Sequence, residues 1–198
     1  MIDTVIFDIG KVLVAFDWEG YLQTFHYSKE VSDIVANAMF LNEDWELGDT
    51  GLITKSQWLS HFIENAPQYE KQIRQVYDTL GKCIYRFPYT LEWIHHYREK
   101  GYRIFYLSNY SEGLYEKTKE VLSFTDSFDG GIFSYREKCI KPDLEIYRKL
   151  IKRYDIVPEN ALFFDDREEN IAASKKLGIH GVLFTKETDY EKSSKIWW

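Results

Sequence analysis

Several side chains capable of chemistry fall at the ends of apolar runs. Asp8 follows TVIF, Ser108 and Asn109 close RIFYLSN, Lys141 lies with Pro142 in the loop after GGIFSY, and Asp165 and Asp166 close ALFFDD. Runs that are apolar at successive positions read as strands buried on both faces, as in parallel sheets. Parallel strands deliver their carboxyl-terminal residues to one edge, which is where ligands bind in open α/β folds. That edge would bring carboxylates to an ammonium, a hydroxyl and an amide, a set able to hold an oxygen-liganded cation together with an anion. Taken singly, each residue has a plainer reading: Asp8 as a turn cap, Lys141 as an exposed lysine before a turn proline, Ser108 and Asn109 as the N-cap of SEGLYEK. Their convergence on one edge favours chemistry.

The elements that must position these residues show as alternating patterns. Thr4 to Phe7 reads as the central strand, and from Tyr102 onward the runs RIFYLSN, GGIFSY, ALFFDD and GVLFTK read as further strands. TLEWIHHYREKG, SEGLYEKTKEVL, DLEIYRKLIKRY and REENIAASKKLG carry apolar residues three or four apart, the spacing of connecting helices. The alternation predicts an α/β fold, a Rossmann-like parallel sheet with helices on both faces. Residues 17–84 differ, with helical spacing throughout and no convincing strand. WEGYLQTF, KEVSDIVANAMFL, KSQWLSHFIENA and YEKQIRQVYDTL are the expected helices, with a turn at Gly48 to Gly51. The expected plan is a core of residues 1–16 and 85–198 interrupted by a small helical insert, residues 17–84.

Composition narrows the function classes. The chain has 198 residues, 44% of them hydrophobic, and a formal charge of -7 with acidic and basic residues interleaved. No basic stripe follows a phosphate backbone, which argues against a nucleic-acid partner. Apolar runs fall far short of the ~20 residues of a membrane span, and the N-terminus lacks a signal-peptide layout, so a cytoplasmic protein is expected. Cys83 and Cys139 make neither a disulfide framework nor a zinc site.

In order and spacing, FDIGKVLV, YLSN, KPDLEIY and FFDDREENI resemble the four motifs of the haloacid dehalogenase superfamily. They are most similar to its sugar-phosphate phosphatases, the α-D-glucose-1-phosphate phosphatase type, and the helical insert stands where that superfamily places a helical cap. The resemblance implies a magnesium-dependent phosphatase acting on a small phosphorylated metabolite through an aspartyl-phosphate, with Asp8 as nucleophile. Asp8, Asp166 and the main-chain carbonyl of Gly10 would hold the magnesium, and Asp165 would orient Lys141 or a bound water. Lys141 would contact both Asp8 and the phosphate, Ser108 and Asn109 would donate to phosphate oxygens, and Trp45 and Glu46 of the insert would meet the substrate.

The chain departs from that pattern at Gly10, where the family's phosphatases usually carry an acid-base aspartate. Three readings stay open: another group supplies the proton, with Glu43, Asp44 and Glu46 of the insert as candidates; the protein is a metal-independent dehalogenase-type hydrolase; or it binds phosphate or a partner with little turnover. Lys11 is a poor proton donor at neutral pH. His95 and His96 are adjacent and form no common metal face, and His26, His61 and His180 are expected to be structural. Trp197 and Trp198 are expected to anchor onto the core or a second subunit.

Overall fold

The structure, a computed structural model, describes residues 1–185; Trp197 and Trp198 lie outside the described residues. In chain order the elements are β1 (Thr4–Phe7), β2 (Val14–Phe16), α1 (Trp18–Gln23), α2 (Lys29–Met39), α3 (Glu43–Asp49), α4 (Lys55–Asn65), α5 (Glu70–Asp78) and β3 (Ile84–Arg86). There follow α6 (Thr90–Glu99), β4 (Arg103–Ser108), α7 (Glu112–Thr118), β5 (Gly130–Phe133), α8 (Ser134–Glu137), α9 (Leu144–Tyr154), β6 (Ala161–Asp165), α10 (Glu168–Lys175) and β7 (His180–Leu183).

The sheet is parallel, in the order β5-β4-β1-β6-β7, so TVIF takes the central place. Its register pairs Ile6 with Phe105 on one side and Phe163 on the other. Because successive side chains of a strand point to opposite faces, Val5 and Phe7 enter one apolar cluster and Ile6 the other. Trp93 of α6 packs on the first face, its ring centroid 4.8 Å from that of Phe7. Tyr147 and Leu150 of α9 and Ile171 of α10 pack on the second. Helices therefore cover both faces, and every side chain of β1 is buried.

Between β2 and β3 the chain forms α1 to α5, gathered around buried Trp58, Phe62 and Tyr77. Two features here differ from expectation. First, Val14–Phe16 and Ile84–Arg86 pair as a two-stranded antiparallel ribbon at the point where the helical segment leaves and rejoins the sheet. Strands of three residues are too short for a period-2 pattern to show. Second, the region around Gly48 is the end of a helix, α3. Its N-terminus is capped by Asn42, which accepts from the Asp44 N–H at 2.9 Å, and its first turn carries Glu43, Asp44 and Glu46, charges that suit the positive end of a helix. Gly48 is a packing residue: a Cβ there would stand 2.6 Å from Cε2 of Trp58.

The N-cap of α7 is Ser111, whose Oγ accepts from the Leu114 N–H at 3.2 Å, so Ser108 and Asn109 are not occupied by that task. SEGLYEKTKEVL is helical only to Thr118, and a 3-10 run follows at Val121–Ser127. Among the described residues no helix is long and apolar enough to cross a membrane.

Candidate active site

Asp8 is the first residue beyond β1, and its N–H still donates to the Phe164 carbonyl at 2.8 Å, so the sheet fixes where the side chain starts. The carboxylate is 7% exposed. Its Oδ1 accepts from the Ile9 N–H at 2.7 Å and lies 3.0 Å from Nζ of Lys141, and the Ser108 hydroxyl also hydrogen-bonds it. Lys141 is 2% exposed, contrary to the habit of lysines. Its Nζ donates to Asp165 Oδ2 at 2.6 Å, so the ammonium is held between the two carboxylates. Asn109 fixes the main chain of this lysine: its Nδ2 donates to the Lys141 carbonyl at 3.0 Å and its Oδ1 accepts from the Lys141 N–H at 2.8 Å. One amide hydrogen of Asn109 is left for another acceptor.

Asp165, fully buried at the end of β6, has both oxygens engaged. Oδ1 accepts from the Arg167 N–H at 2.9 Å and from Asn170 Nδ2 at 2.9 Å, while Oδ2 takes Lys141. Asp166, the next residue, is half-buried and lines the cavity instead. One oxygen from each of Asp8, Asp165 and Asp166 lies within 4.8 Å of the others. Burial pushes the Asp8 carboxyl up to about 7, the nearby Lys141 pulling it down and Asp165 and Asp166 adding to the rise. Burial also raises Asp166, again with Asp165 contributing. Burial works against the Lys141 ammonium, yet Asp165 and Asp8 more than offset it and hold its pKa up.

This donor set fits magnesium. It offers oxygen alone, and it leaves negative charge in excess of the single contacting ammonium. Asn170, which the sequence reading did not single out, is 1% exposed, and its Oδ1 has no hydrogen-bond partner in the protein. It is a buried acceptor left open beside Asp165, in a residue that also lines the cavity.

The cavity above these residues has a volume of about 220 Å³. Its floor includes Asp8, Gly10, Lys141 and Asp166, and its roof comes from the helical segment: Trp45, Glu46 and Asp49 of α3, with Phe16 and Ile84 of the ribbon beside them. Trp45 stacks on Phe16 at 5.0 Å between ring centroids, and Glu46 pairs with Arg167 at 3.1 Å across the cavity mouth. Of the other acidic residues proposed as proton donors, Glu43 is exposed and Asp44 is bound to Asn65 at 2.7 Å and His61 at 3.3 Å; neither lines the cavity. Asp49 does line it, and it escaped the sequence reading because a turn was expected from Gly48 onward. Lys11 also faces the cavity, in a left-handed turn with φ 59°. A Cβ at Gly10 would meet no heavy atom within 4 Å, so the space of the missing side chain is open. His95 pairs with Glu99 at 3.0 Å on the surface and His180 with the Glu159 carbonyl at 3.0 Å, away from these carboxylates.

A family model described as haloacid dehalogenase-like hydrolase matches residues 2–178. Among curated proteins the chain is 24% identical over 180 residues to a sesquiterpene phosphatase of Aspergillus oryzae, covering 91% of this chain and 88% of that protein. It is 25% identical over 198 residues to a D-ribitol-5-phosphate phosphatase of Bacteroides thetaiotaomicron, covering 90% of each. Several further curated relatives are matched over less than half of their own length. The fold is shared with a HAD family enzyme of Bacteroides thetaiotaomicron, solved in complex with magnesium and inorganic phosphate, at a TM-score of 0.75 and 23% identity over 92% of this chain and 94% of that one.

Proposed function

Since the chain belongs to the haloacid dehalogenase-like hydrolases, we propose that it is a magnesium-dependent phosphatase that transfers the phosphoryl group of a small phosphomonoester to Asp8 and then to water. The observation that carries the reading is the buried ammonium of Lys141 held between Asp8 and Asp165 at the edge of the parallel sheet. Asp8 attacks phosphorus, and its other contacts, the Ile9 N–H and the Ser108 hydroxyl, aim the carboxylate. Lys141 offsets the charge of the nucleophile and of the phosphate, the largest electrostatic demand of phosphoryl transfer. Asp165 holds that ammonium in place, and Asn109 holds its main chain, leaving one amide hydrogen for a phosphate oxygen. Asp8, Asp166 and the Gly10 carbonyl would hold the magnesium, which when bound supplies the positive charge that lets one anion approach another.

As substrate we propose a sugar or sugar-alcohol phosphate, in line with the relative that acts on D-ribitol 5-phosphate. The small cavity and its polar mouth at Glu46 and Arg167 support a short polyol, with Trp45 as the flat face of the pocket. The test is phosphate release from a panel of phosphorylated metabolites with and without magnesium, 2-haloacids included. The expected outcome is magnesium-dependent release that Asp8→Asn abolishes. Halide release without metal would select the dehalogenase reading instead, and phosphate binding without release would select a binding protein.

A further inference from the structure

Proton transfer in this site lacks an assigned group. A departing alkoxide needs a proton, and the water that cleaves the phosphoenzyme needs to lose one. The carboxylates on the cavity floor are committed: Asp8 to attack, Asp166 to the cation, and Asp165 to the N–H donors that fill both its oxygens. Lys141 is held by two carboxylates, and Glu46 is engaged with Arg167. Resting on the phosphatase reading above, we propose that Asp49 is the general acid and base of this site, acting from the roof across the space that Gly10 leaves open.

The placement of Asp49 is fixed by the core and not by its own helix alone. Ser134, buried at the start of α8 just beyond β5, donates from Oγ to the Asp49 carbonyl at 2.6 Å. Two residues on, Gly51 has φ 65° and lies so close to the main chain of Tyr135 that any Cβ would collide with its carbonyl oxygen. These contacts lock the end of α3 onto α8, with the half-buried Asp49 side chain on the same cavity as Asp8 and Lys141. Burial pushes its carboxyl up to about 8; Glu46 and Asp8 add to the rise, and Lys141 and Arg167 oppose it. The group thus carries a proton at neutral pH, as a general acid must.

In the first step an Asp8 oxygen bonds to phosphorus, the ester P–O bond breaks, and its electron pair takes the Asp49 proton as the alcohol leaves. In the second, water bonds to phosphorus while Asp49 takes its proton. The bond between phosphorus and Asp8 breaks with its electron pair returning to Asp8, and phosphate leaves with Asp49 protonated again.

The experiment compares 4-nitrophenyl phosphate, whose leaving group needs little protonation, with a simple alkyl phosphate. In Asp49→Asn, kcat/KM on the alkyl ester should fall by about 10²–10⁴ and on the aryl ester by less than about tenfold. The aryl ester should also show a burst of nitrophenol, because the phosphoenzyme then waits for a base. Gly10→Asp, introduced into Asp49→Asn, should recover alkyl activity through the open space at that position. The fall of native alkyl kcat/KM above about pH 8 should be missing from Asp49→Asn. An alkyl-to-aryl ratio that Asp49→Asn leaves unchanged would overturn the assignment while the phosphatase reading stands. Failure of the native protein to release phosphate from either ester would overturn both.

Discussion

Lys141 is buried with its charge balanced by two carboxylates, and removing it should show how much of the site is held by that balance. Lys141→Met leaves Asp8 and Asp165 facing each other without a cation, and breaking a buried ion pair from one side typically costs about 3–5 kcal/mol. Urea unfolding without magnesium should record a loss of that size, and added magnesium should recover part of it. Asp49 contributes in the opposite sense. Its folded pKa of about 8 stands above the unfolded value near 3.9, so its contribution to stability is complete below about pH 4 and is lost as pH rises through about 8. Asp49→Asn removes that loss. The melting temperature of the variant relative to the native protein should therefore climb between pH 4 and 8, and a difference independent of pH would contradict the raised pKa. Asp8, Ser108, Asn109, Asp165 and Asp166 were legible in the sequence because a strand end is a place that an apolar run announces, and Lys141 because it stands with Pro142 in the loop after such a run. Asp49 was not: in EDWELGD four acidic residues look alike, and only the turn of a short helix and its seat on the core bring Asp49 to the cavity beside Glu46 while Glu43 and Asp44 stay outside it.

Among the elements, α3 carries the roof, and its glycine, Gly48, acts through packing and not through a turn. Gly48→Ala drives a methyl group into the Trp58 ring and should cost about 1–3 kcal/mol, read as a lower denaturation midpoint. Ser134→Ala takes away the hydroxyl that ties the Asp49 carbonyl to the core and also leaves the Tyr110 N–H without that acceptor. A loss of about 1–3 kcal/mol is expected for the unsatisfied buried groups. Protection of the α3 amides from hydrogen exchange should fall more than that of β1, since the change frees the roof and spares the floor. The sheet and its helices were readable from periodicity, for each of those segments buries a repeated pattern of side chains. The ribbon was not, because its pairing is long-range: Val14 meets Arg86, and neither three-residue strand carries a pattern by itself.

For the molecule as a whole, a cation that binds only the folded protein must raise its stability, by about 2.7 kcal/mol at a hundred times its Kd. Thermal unfolding across a magnesium titration should show that rise, and Asp166→Asn should remove most of it. Calcium, larger and tolerant of more ligands, should stabilise the fold without supporting the same turnover. The ribbon of Val14–Phe16 and Ile84–Arg86 has a wider consequence. Because the helical segment departs and returns through adjacent paired strands, its two ends are neighbours, and it can be exchanged as a cassette without disturbing the order β5-β4-β1-β6-β7. A different cassette on the same ribbon would bring a different roof and a different proton donor to an unaltered floor. Chimeras joined at Phe16 and Ile84 should thus keep the floor of the site from one parent and take its roof from the other, with the choice of leaving group following the roof.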